Sequence, residues 1–368
     1  MSQVNILILD GESPFTAKVV RSLSLDPRWQ IHVLARAVGS QRPALAWSRH
    51  VRSFHLTASN QDDQAYLACV RTVAQQTSAS AILPVVEPTS LFCIRHRAAL
   101  EEIAPLAPLP AADTFVTGID KGLLAAFMVR HAIPHPRTCL PPDPMRSQLT
   151  YPLLVKPRRS CGGRGFAKVE SPEELQCELA RRPDRADVCL QEYIEGIDVG
   201  CSVLVQEGNI VAWTTQRGLR RLRPYAALSE MQMEASIPAH KTTGDLMKAL
   251  NWSGIAHVDL RIDARTGQPL VLEINGRYWD SLWASTAARV NFPDLVCRMT
   301  LGEALPAARP RSGRFVQPRA LRKDFMRLLP RLFQFRWNGL SMILADPVPE
   351  ILTKLRSWQA AKLRERPA

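Results

Sequence analysis

The segment Tyr151-Pro-Leu-Leu-Val-Lys-Pro-Arg-Arg-Ser-Cys-Gly-Gly-Arg-Gly165 combines an apolar, strand-like run with a glycine-rich turn. The run ends at Lys156-Pro157, and backbone N–H groups near Gly162, Gly163 and Gly165 can approach an anion without side chains in the way. The Walker A pattern G-x-x-x-x-G-K-[ST] is absent, and a glycine-rich turn alone is equally consistent with an ordinary turn. The segment therefore suggests a phosphate site whose meaning depends on the rest of the chain.

Two carboxylates and an amide are predicted to share one face of a β-hairpin. Strands at residues 256–262 and 269–274 are joined by a short polar turn. Glu273 and Asn275 are separated by one residue and project from the same face, and Asp259 can join them across the hairpin. Carboxylate and amide oxygens are the hard ligands that Mg²⁺ prefers, and buried carboxylates repel each other unless a cation or proton intervenes. With the glycine turn upstream, this pattern favours a metal-phosphate site over the exposed ends of an ordinary hairpin.

These segments share their order and spacing with a known family. The chain also contains Leu190-Gln-Glu-Tyr-Ile-Glu-Gly-Ile-Asp198, and the hairpin strands contain Val258-Asp-Leu-Arg261 and Leu272-Glu-Ile-Asn-Gly-Arg277. Together these motifs resemble the ATP-grasp superfamily, in the subgroup of carbamoyl phosphate synthetase, biotin carboxylase and their small-molecule ligase relatives. The resemblance extends through residue 302. It implies an α/β (α+β ATP-grasp) fold, in which a doubly wound pre-ATP-grasp sheet precedes two ATP-grasp lobes that clasp ATP.

The resemblance also implies roles for individual residues. Lys121 and Lys156 match the two lysines that contact the ATP phosphates, and Arg277 matches an arginine beside the γ-phosphate or the acceptor carboxylate, which makes Arg277 and Lys156 the candidate catalytic residues. The other matches are the mobile phosphate loop (Gly162, Gly163, Gly165), the adenine hinge (Gln191, Glu192, Ile194), the acceptor of the ribose hydroxyls (Asp198) and the ligands of one or two Mg²⁺ or Mn²⁺ ions (Asp259, Glu273, Asn275).

The chain departs from the family pattern at a few positions. Asp198 stands where Glu is commoner, which shortens the reach to the ribose, and Gly276 stands where Pro or Thr is frequent. Cys161 lies inside the phosphate loop, either as a small residue that fills a tight turn or as a reactive thiol. The segment Arg217-Gly-Leu-Arg-Arg-Leu-Arg223 is either a solvated basic strand or a site for an anionic substrate. Glu87, at the end of a predicted strand, is placed toward the shared cleft.

We predict three parts of the chain: a Rossmann-like pre-ATP-grasp domain, an ATP-grasp domain and a basic C-terminal extension. Their bounds are residues 1–112, 113–302 (small lobe 113–190, large lobe 191–302) and 303–368. Hydrophobic periodicity predicts strands at 4–9, 30–34 and 81–86 and helices at 15–25, 91–103 and 121–131. The turn after the first strand lacks G-x-G-x-x-G, so we exclude a nicotinamide or flavin cofactor.

The implied function is an ATP-dependent carboxylate-amine ligase that forms a C–N bond, or joins a thiol, through an acylphosphate and releases ADP and phosphate. Two alternatives share the same motifs: a bicarbonate-activating carboxylase or carbamoyl-phosphate-type enzyme, and a non-catalytic ATP-binding regulator. The 368 residues contain no duplicated synthetase half, glutaminase region or biotinyl Met-Lys-Met signature, which disfavours the first. The complete set of two lysines and three metal ligands disfavours the second. The expected partners are small-molecule carboxylate and amine substrates.

Charge is concentrated at the end of the chain. Residues 304–368 hold 14 Lys and Arg against 4 Asp and Glu, whereas the remaining residues hold 33 against 30. No aromatic-rich recognition motif accompanies the basic tail, so we expect no nucleic-acid partner. We expect a cytoplasmic protein, because no apolar run approaches the roughly 18 residues of a membrane span and the first residues carry no basic region.

The tail itself is predicted to contain a basic amphipathic helix that Pro330 kinks or ends. Its apolar stripe either packs on the ligase body, as most such helices do, or contacts an acidic membrane surface or partner protein. The apolar residues at helical spacing are Leu321, Phe325, Leu328, Leu329 and Leu332, and the basic residues between them are Arg322, Lys323, Arg327 and Arg331.

Overall fold

The computed structural model describes residues 3–38, 41–58, 62–141, 143, 148–160, 162–182, 184, 187–318, 320 and 339–364. Cys161 and the predicted amphipathic helix at residues 321–332 lie outside the described residues, so the alternatives raised for them stay predictions. Among the helices that are described, none combines the length and the apolar character that crossing a bilayer requires.

The N-terminal part is a parallel four-stranded sheet with the order β3-β2-β1-β4. On β1, Ile6 and Ile8 pack toward α1, whereas Leu7 and the following Leu9 face the opposite side and pack toward α2 and α3. Helices therefore cover both faces, which confirms the predicted doubly wound sheet. The elements are β1 (Val4–Ile8), α1 (Pro14–Leu23), β2 (Trp29–Arg36), β3 (Val51–Thr57), α2 (Asp63–Gln76), β4 (Ala81–Leu83), α3 (Glu87–Arg95) and α4 (Arg97–Glu101).

Two of the predicted elements in this part are present with different bounds. The strand expected at 81–86 ends at Leu83, because the carboxylate of Asp10 accepts hydrogen bonds from the backbone N–H groups of Val85 and Val86. The helix expected at 91–103 begins earlier and is broken into α3 and α4 at His96, whose backbone leaves the helical region. The sequence analysis also missed β3 and α2.

Two helices lead into the next part: α5 (Ala112–Ile119), which was missed, and α6 (Lys121–Arg130), which was predicted. Asp120 caps α6, because its Oδ1 accepts from the backbone N–H groups of Gly122 and Leu123. A small sheet follows, with the order β5-β8-β6-β7. Its elements are β5 (Thr138–Cys139), β6 (Leu153–Pro157), β7 (Ala167–Val169), α7 (Pro172–Ala180) and β8 (Val188–Glu192).

A six-stranded antiparallel sheet forms the largest part, with the order β13-β12-β9-β10-β11-β14. The predicted hairpin is present as β12 and β13, in a register that pairs Asp259 with Glu273 and His257 with Asn275. The sheet and its helices comprise β9 (Gly196–Gln206), β10 (Asn209–Arg221), β11 (Leu228–Met233), α8 (Ile237–Leu250), β12 (Gly254–Asp263), β13 (Pro269–Asn275), α9 (Leu282–Ala287), α10 (Phe292–Thr300) and β14 (Gly313–Val316).

The described part of the basic extension packs on the rest of the molecule. Strand β14 pairs with β11 at the sheet edge, and its Phe315 joins Met342 in one apolar cluster. Two helices follow, α11 (Gly339–Ala345) and α12 (Val348–Arg364). Between them, the buried Asp346 contacts the buried Arg21 of α1. The extension thus contributes a strand to the large sheet, and the domain bounds themselves remain a prediction.

Candidate functional site

A cleft of about 590 Å³ lies between the small sheet, the large sheet and the N-terminus of α1. Most of the residues singled out from the sequence line this one cleft, although they come from segments far apart in the chain. Among those that do not, Lys121 and Glu87 lie behind the lining, where they contact Glu273 and Arg277, and Gly165 faces Pro157 and Arg182 instead. The lining residues that the sequence analysis named are Lys156, Gly162, Gly163, Gln191, Glu192, Ile194, Asp198, Asp259, Glu273, Asn275 and Arg277.

The glycine-rich loop crosses the cleft and touches the large sheet. Gly162, Gly163 and Gly165 have φ values of 66°, 69° and 75°, in the left-handed region that glycine adopts at little cost. At Gly163 a Cβ atom would lie 2.3 Å from the backbone oxygen of Tyr225, in the turn between β10 and β11. At Gly162 a Cβ atom would meet nothing within 4 Å. Glycine at 163 therefore permits a close contact that closes the loop over the cleft.

The two predicted phosphate lysines are buried at the base of this loop. Lys121 Nζ lies 3.0 Å from Glu273 Oε2, and Lys156 Nζ donates to Gln191 Oε1 at 2.5 Å. Burial lowers the pKa of Lys156. Burial also acts on Lys121, but the charge of Glu273 and the hydrogen bond to it outweigh burial and raise the pKa of this lysine. Both ammonium groups are thus held inside the protein by acceptors that an incoming anion can replace.

The predicted metal ligands form a connected chain of side chains on one face of the hairpin. Asn275 Nδ2 donates to Asp259 Oδ2 at 2.9 Å, and Arg277 Nη2 donates to Asn275 Oδ1 at 2.8 Å. The enclosure of Asp259 acts to raise the pKa of this carboxyl, but the hydrogen bond and charge of His257 outweigh it and lower the pKa to about 2. The contact with His257 thus favours the carboxylate form of Asp259.

The oxygen atoms present suit a magnesium ion that is shared with phosphates. Asp259 and Glu273 are paired across the hairpin. Asn275 turns its Nδ2 to Asp259 and its Oδ1 to Arg277, so its amide would rotate to present the oxygen beside the carboxylates. The described residues contain no cluster of three or more His, Cys, Asp and Glu side chains that could hold a metal by themselves. Mg²⁺ in phosphate-transfer sites commonly takes one or two carboxylates and completes its shell with phosphate oxygens and water. The side chains of Asp259, Glu273 and Asn275 fit a site of this kind, in which the protein supplies only part of the coordination shell.

The predicted hinge lies at the other end of the cleft, where β8 leads into β9. Glu192 Oε1 accepts from the backbone N–H of Thr150, and the backbone oxygen of Ile194 accepts from Arg261. Asp198 Oδ2 accepts from Arg221 Nη2 at 2.8 Å, and its Oδ1 contacts Arg261. A ribose hydroxyl would therefore meet a carboxylate that already accepts from two guanidinium groups. Of the arginines in the 217–223 segment, Arg221 is the only one in the cleft lining of the described chain.

Several cleft residues were missed by the sequence analysis. Lys18 and Phe15 enter the lining from α1, and Lys18 Nζ lies 2.7 Å from Asp280 Oδ1. Gln216 and Trp279 also line it. Glu87, which the sequence placed toward the cleft, has its Oε1 3.6 Å from Arg277 Nε, and burial raises the pKa of this carboxyl. No local motif marks the missed residues, because they meet the cleft only through tertiary packing.

Comparisons with known proteins agree with this geometry. Residues 119–281 match the family model of the ATP-grasp domain. A D-alanine--D-alanine ligase from Acetivibrio thermocellus is 27% identical over 175 residues, which cover 42% of this chain and 46% of the relative. The chain spans about half the length of the curated relatives it matches first.

Solved structures show the same architecture. An L-amino acid ligase from Bacillus licheniformis superposes with a TM-score of 0.63 at 18% identity, over 84% of this chain and 78% of that one. A biotin carboxylase from Campylobacter jejuni superposes with a TM-score of 0.64 at 16% identity, over 84% and 74% of the two chains. At these identities the likeness establishes the fold. The protein is thus a mixed α/β protein that contains an ATP-grasp domain, and the resemblance inferred from its sequence is confirmed.

Proposed function

We propose that this protein is an ATP-dependent carboxylate-amine ligase. In the proposed reaction, a carboxylate attacks the γ-phosphate of ATP to form an acylphosphate, and an amine, or alternatively a thiol, then displaces phosphate. ADP and phosphate are released. The observation that carries the proposal is that the cations of Lys156 and Arg277 and the carboxylates of Asp259 and Glu273 line one cleft, with Lys121 directly behind it and paired with Glu273.

Electrostatics explains why such a reaction needs this set of residues. A carboxylate and the triphosphate are both anions, so their approach is opposed unless cations surround the transferring group. Lys156 and Lys121 are compact charges held on β6 and α6, and each can leave its present acceptor for a phosphate oxygen. Arg277 is fixed by Asn275 and by the backbone oxygen of Tyr278, which keeps a planar cation beside the reacting end of the cleft.

Asp259, Glu273 and Asn275 would hold Mg²⁺ together with the phosphates. A bound Mg²⁺ supplies neutralisation of phosphate charge. The chain's own contribution is to orient these oxygens: the hairpin register pairs Asp259 with Glu273, and Asn275 is held between Asp259 and Arg277. The loop at Gly162 and Gly163 is placed to exclude water once nucleotide is bound, and the segment from Glu192 to Asp198 is proposed to hold the adenosine. The similarity to amino acid ligases supports amino acids or short peptides as substrates.

The first experiment tests the acylphosphate directly. Purified protein is incubated with Mg-ATP, hydroxylamine and pools of amino acids, dipeptides and other small carboxylates, and ADP and hydroxamate are both measured. The proposed function predicts that ADP and hydroxamate appear together and depend on one carboxylate. ATP turnover that requires only bicarbonate would instead indicate a bicarbonate-activating enzyme. Tight ATP binding without any ADP across the pools would indicate a non-catalytic regulator.

A further inference from the structure

Two buried polar atoms on the cleft wall have no hydrogen-bond partner within the described part of the chain. They are Oε1 of Gln216 and Nε1 of Trp279. Gln216 and Trp279 are only 4% and 2% exposed, yet both line the cleft. Most buried polar atoms in native proteins are paired, because an unpaired one costs free energy. Both atoms are closed to solvent, so a ligand would pair with them once the Gln216 and Trp279 side chains turn toward it.

Both residues are neighbours of the His257 ring. Trp279 stacks on this ring, with centroids 5.5 Å apart and planes 19° apart. Gln216 Nε2 and His257 Nε2 lie 3.0 and 2.9 Å from the point that a Cβ atom of Gly200 would occupy. Glycine at position 200 thus leaves the room that the amide and the imidazole share.

The register of the large sheet places Gln216 beside the candidate metal site. Gln216 on β10 pairs with Gly200 on β9, and Gly200 pairs with Asp259 on β12. Asp259 in turn pairs with Glu273. Side chains of directly paired residues project from the same face of a sheet. The amide of Gln216 therefore belongs to the same transverse row as the two carboxylates, separated from them by a residue that has no side chain.

We propose that Gln216 and Trp279, beside His257, form the subsite for the amine nucleophile. This assignment rests on the ligase function proposed above. The amine N–H donates to Gln216 Oε1, and a carbonyl or carboxylate oxygen of the same molecule accepts from Trp279 Nε1. The pair thus selects a nucleophile that carries both groups, which is the chemistry of an amino acid or an amino acid amide and not of ammonia or a simple alkylamine.

The polarity of the subsite separates it from the other substrate positions. Neither Gln216 nor Trp279 carries a charge, so the pair does not suit a phosphate. The carboxylate that is activated also needs cations, and these lie at Lys121, Lys156 and Arg277. A neutral acceptor and a neutral donor instead match an uncharged amine, which is the form that attacks an acylphosphate.

The experiment compares a small nucleophile with amino acid nucleophiles. The wild-type hydroxamate assay first identifies the carboxylate, since hydroxylamine traps an acylphosphate and is too small to span both groups. The KM is then measured for hydroxylamine and for the amino acid that reacts fastest with that acylphosphate. Gln216→Leu and Trp279→Phe should each raise the KM of the amino acid, relative to that of hydroxylamine, by roughly tenfold.

Gln232→Leu is the matched control. Gln232 lies on the neighbouring strand β11, donates to the backbone oxygen of Met233 and is absent from the cleft lining of the described chain. This variant should leave both KM values unchanged. Trp279→Phe keeps the aromatic ring and removes one N–H, so it tests the assignment even if Gln216→Leu does not fold.

Two failures can be told apart. If the variants lose stability while the KM ratio stays at its wild-type value, a buried water satisfies the two atoms and the nucleophile assignment is overturned. If the wild-type protein forms no hydroxamate with any carboxylate, the proposed ligase function fails, and the assignment falls with it.

Discussion

Lys121 Nζ and Glu273 Oε2 lie 3.0 Å apart, joining the first residue of α6 to the hairpin of the large sheet. Lys121, which the ATP-grasp resemblance assigned to phosphate binding, is thus paired with Glu273, which the same resemblance assigned to metal binding. Without nucleotide, each group neutralises the other inside the cleft. An arriving metal-phosphate complex would replace this ion pair by two new ones, since Mg²⁺ would take the carboxylate and a phosphate would take the ammonium group.

Glu273→Gln should fold but lose Mg-dependent ATP turnover by roughly a hundredfold or more, because it removes the charge of a metal ligand while keeping its shape. Asn275→Ala should have the same direction of effect, since it also removes the link between Asp259 and Arg277. Turnover is measured as ADP release, and circular dichroism checks the fold. Wild-type turnover in both variants would show that the metal ligands have been assigned wrongly.

Lys156→Met should weaken ATP binding, or lower kcat if the lysine acts on the transferring phosphoryl group. Methionine keeps the buried apolar stem and removes only the ammonium group, which donates a hydrogen bond to Gln191 Oε1. Lys241→Met is the control, because Lys241 is exposed on α8, pairs with Asp245 and is absent from the cleft lining of the described chain. Isothermal titration with ATP and steady-state kinetics separate the two effects. Equal values for Lys156→Met and the wild type would mean that the phosphate loop is misplaced.

The KM for ATP of the Gly163→Ala variant should be roughly ten times that of the Gly162→Ala variant. Both glycines have φ near +65°, so alanine is strained to a similar extent at either position. Only at Gly163 would the new Cβ collide with the backbone oxygen of Tyr225 and keep the loop from closing. Kinetics at varied ATP concentration measures the difference. Identical KM values would show that the contact with Tyr225 plays no part in nucleotide binding.

Asp10 should make the protein less stable as the pH rises from 4 to 7. Burial raises the pKa of this carboxyl to about 6, against an ordinary value of 3.8, although Thr89 and the backbone at Val85 donate to it. The stabilisation is fully present below about pH 3.8, where the group is protonated in both states, and is lost as the pH passes the folded-state value. This one group should lower the free energy of unfolding by about 3 kcal/mol. Urea titrations of the wild type and Asp10→Asn across this range should show the difference, and parallel pH profiles would contradict it.

Asp346→Ala should cost about 2 kcal/mol of stability, because it removes the acceptor of the buried Ser48 hydroxyl and one of the two carboxylates beside Arg21, while Glu350 and the backbone oxygen of residue 346 keep their contacts with Arg21. Arg21 and Asp346 have side chains only 3% and 2% exposed, and Ser48 also donates to this carboxylate. Asp245→Ala, which removes an exposed pair with Lys241, should change stability by less than about 0.5 kcal/mol. Chemical denaturation measures both variants.

Truncation before Ala304 tests how much stability the whole C-terminal extension contributes. It would remove β14 from the sheet edge and uncover the cluster that holds Phe315 and Met342. We expect an aggregating or much less stable protein. A soluble, active truncated protein would instead favour a docking role for the tail, and loss of salt-sensitive binding to anionic vesicles would identify a membrane as its partner.

The amino-acid sequence by itself determined the elements whose signals are local. These signals are the glycine turn after Lys156, the spacing of Glu273 and Asn275, and the apolar runs of β1, β2, β12 and β13. Each one spans only a few residues, which is the range at which side-chain period and turn chemistry act. The parallel N-terminal sheet followed for the same reason, because consecutive strand and helix signals specify it.

Only the tertiary structure decided how these signals combine. The end of β4 was set by the carboxylate of Asp10, and the break at His96 separated a helix that periodicity had joined. The pairing of Lys121 with Glu273 and the row from Gln216 to Asp259 depend on strand order and register, which bring together residues distant in the chain. Hydrophobic periodicity states which face of an element is buried, but it does not state which other element covers that face. The chemistry of the cleft depends on which elements pack together, and only the tertiary structure shows that.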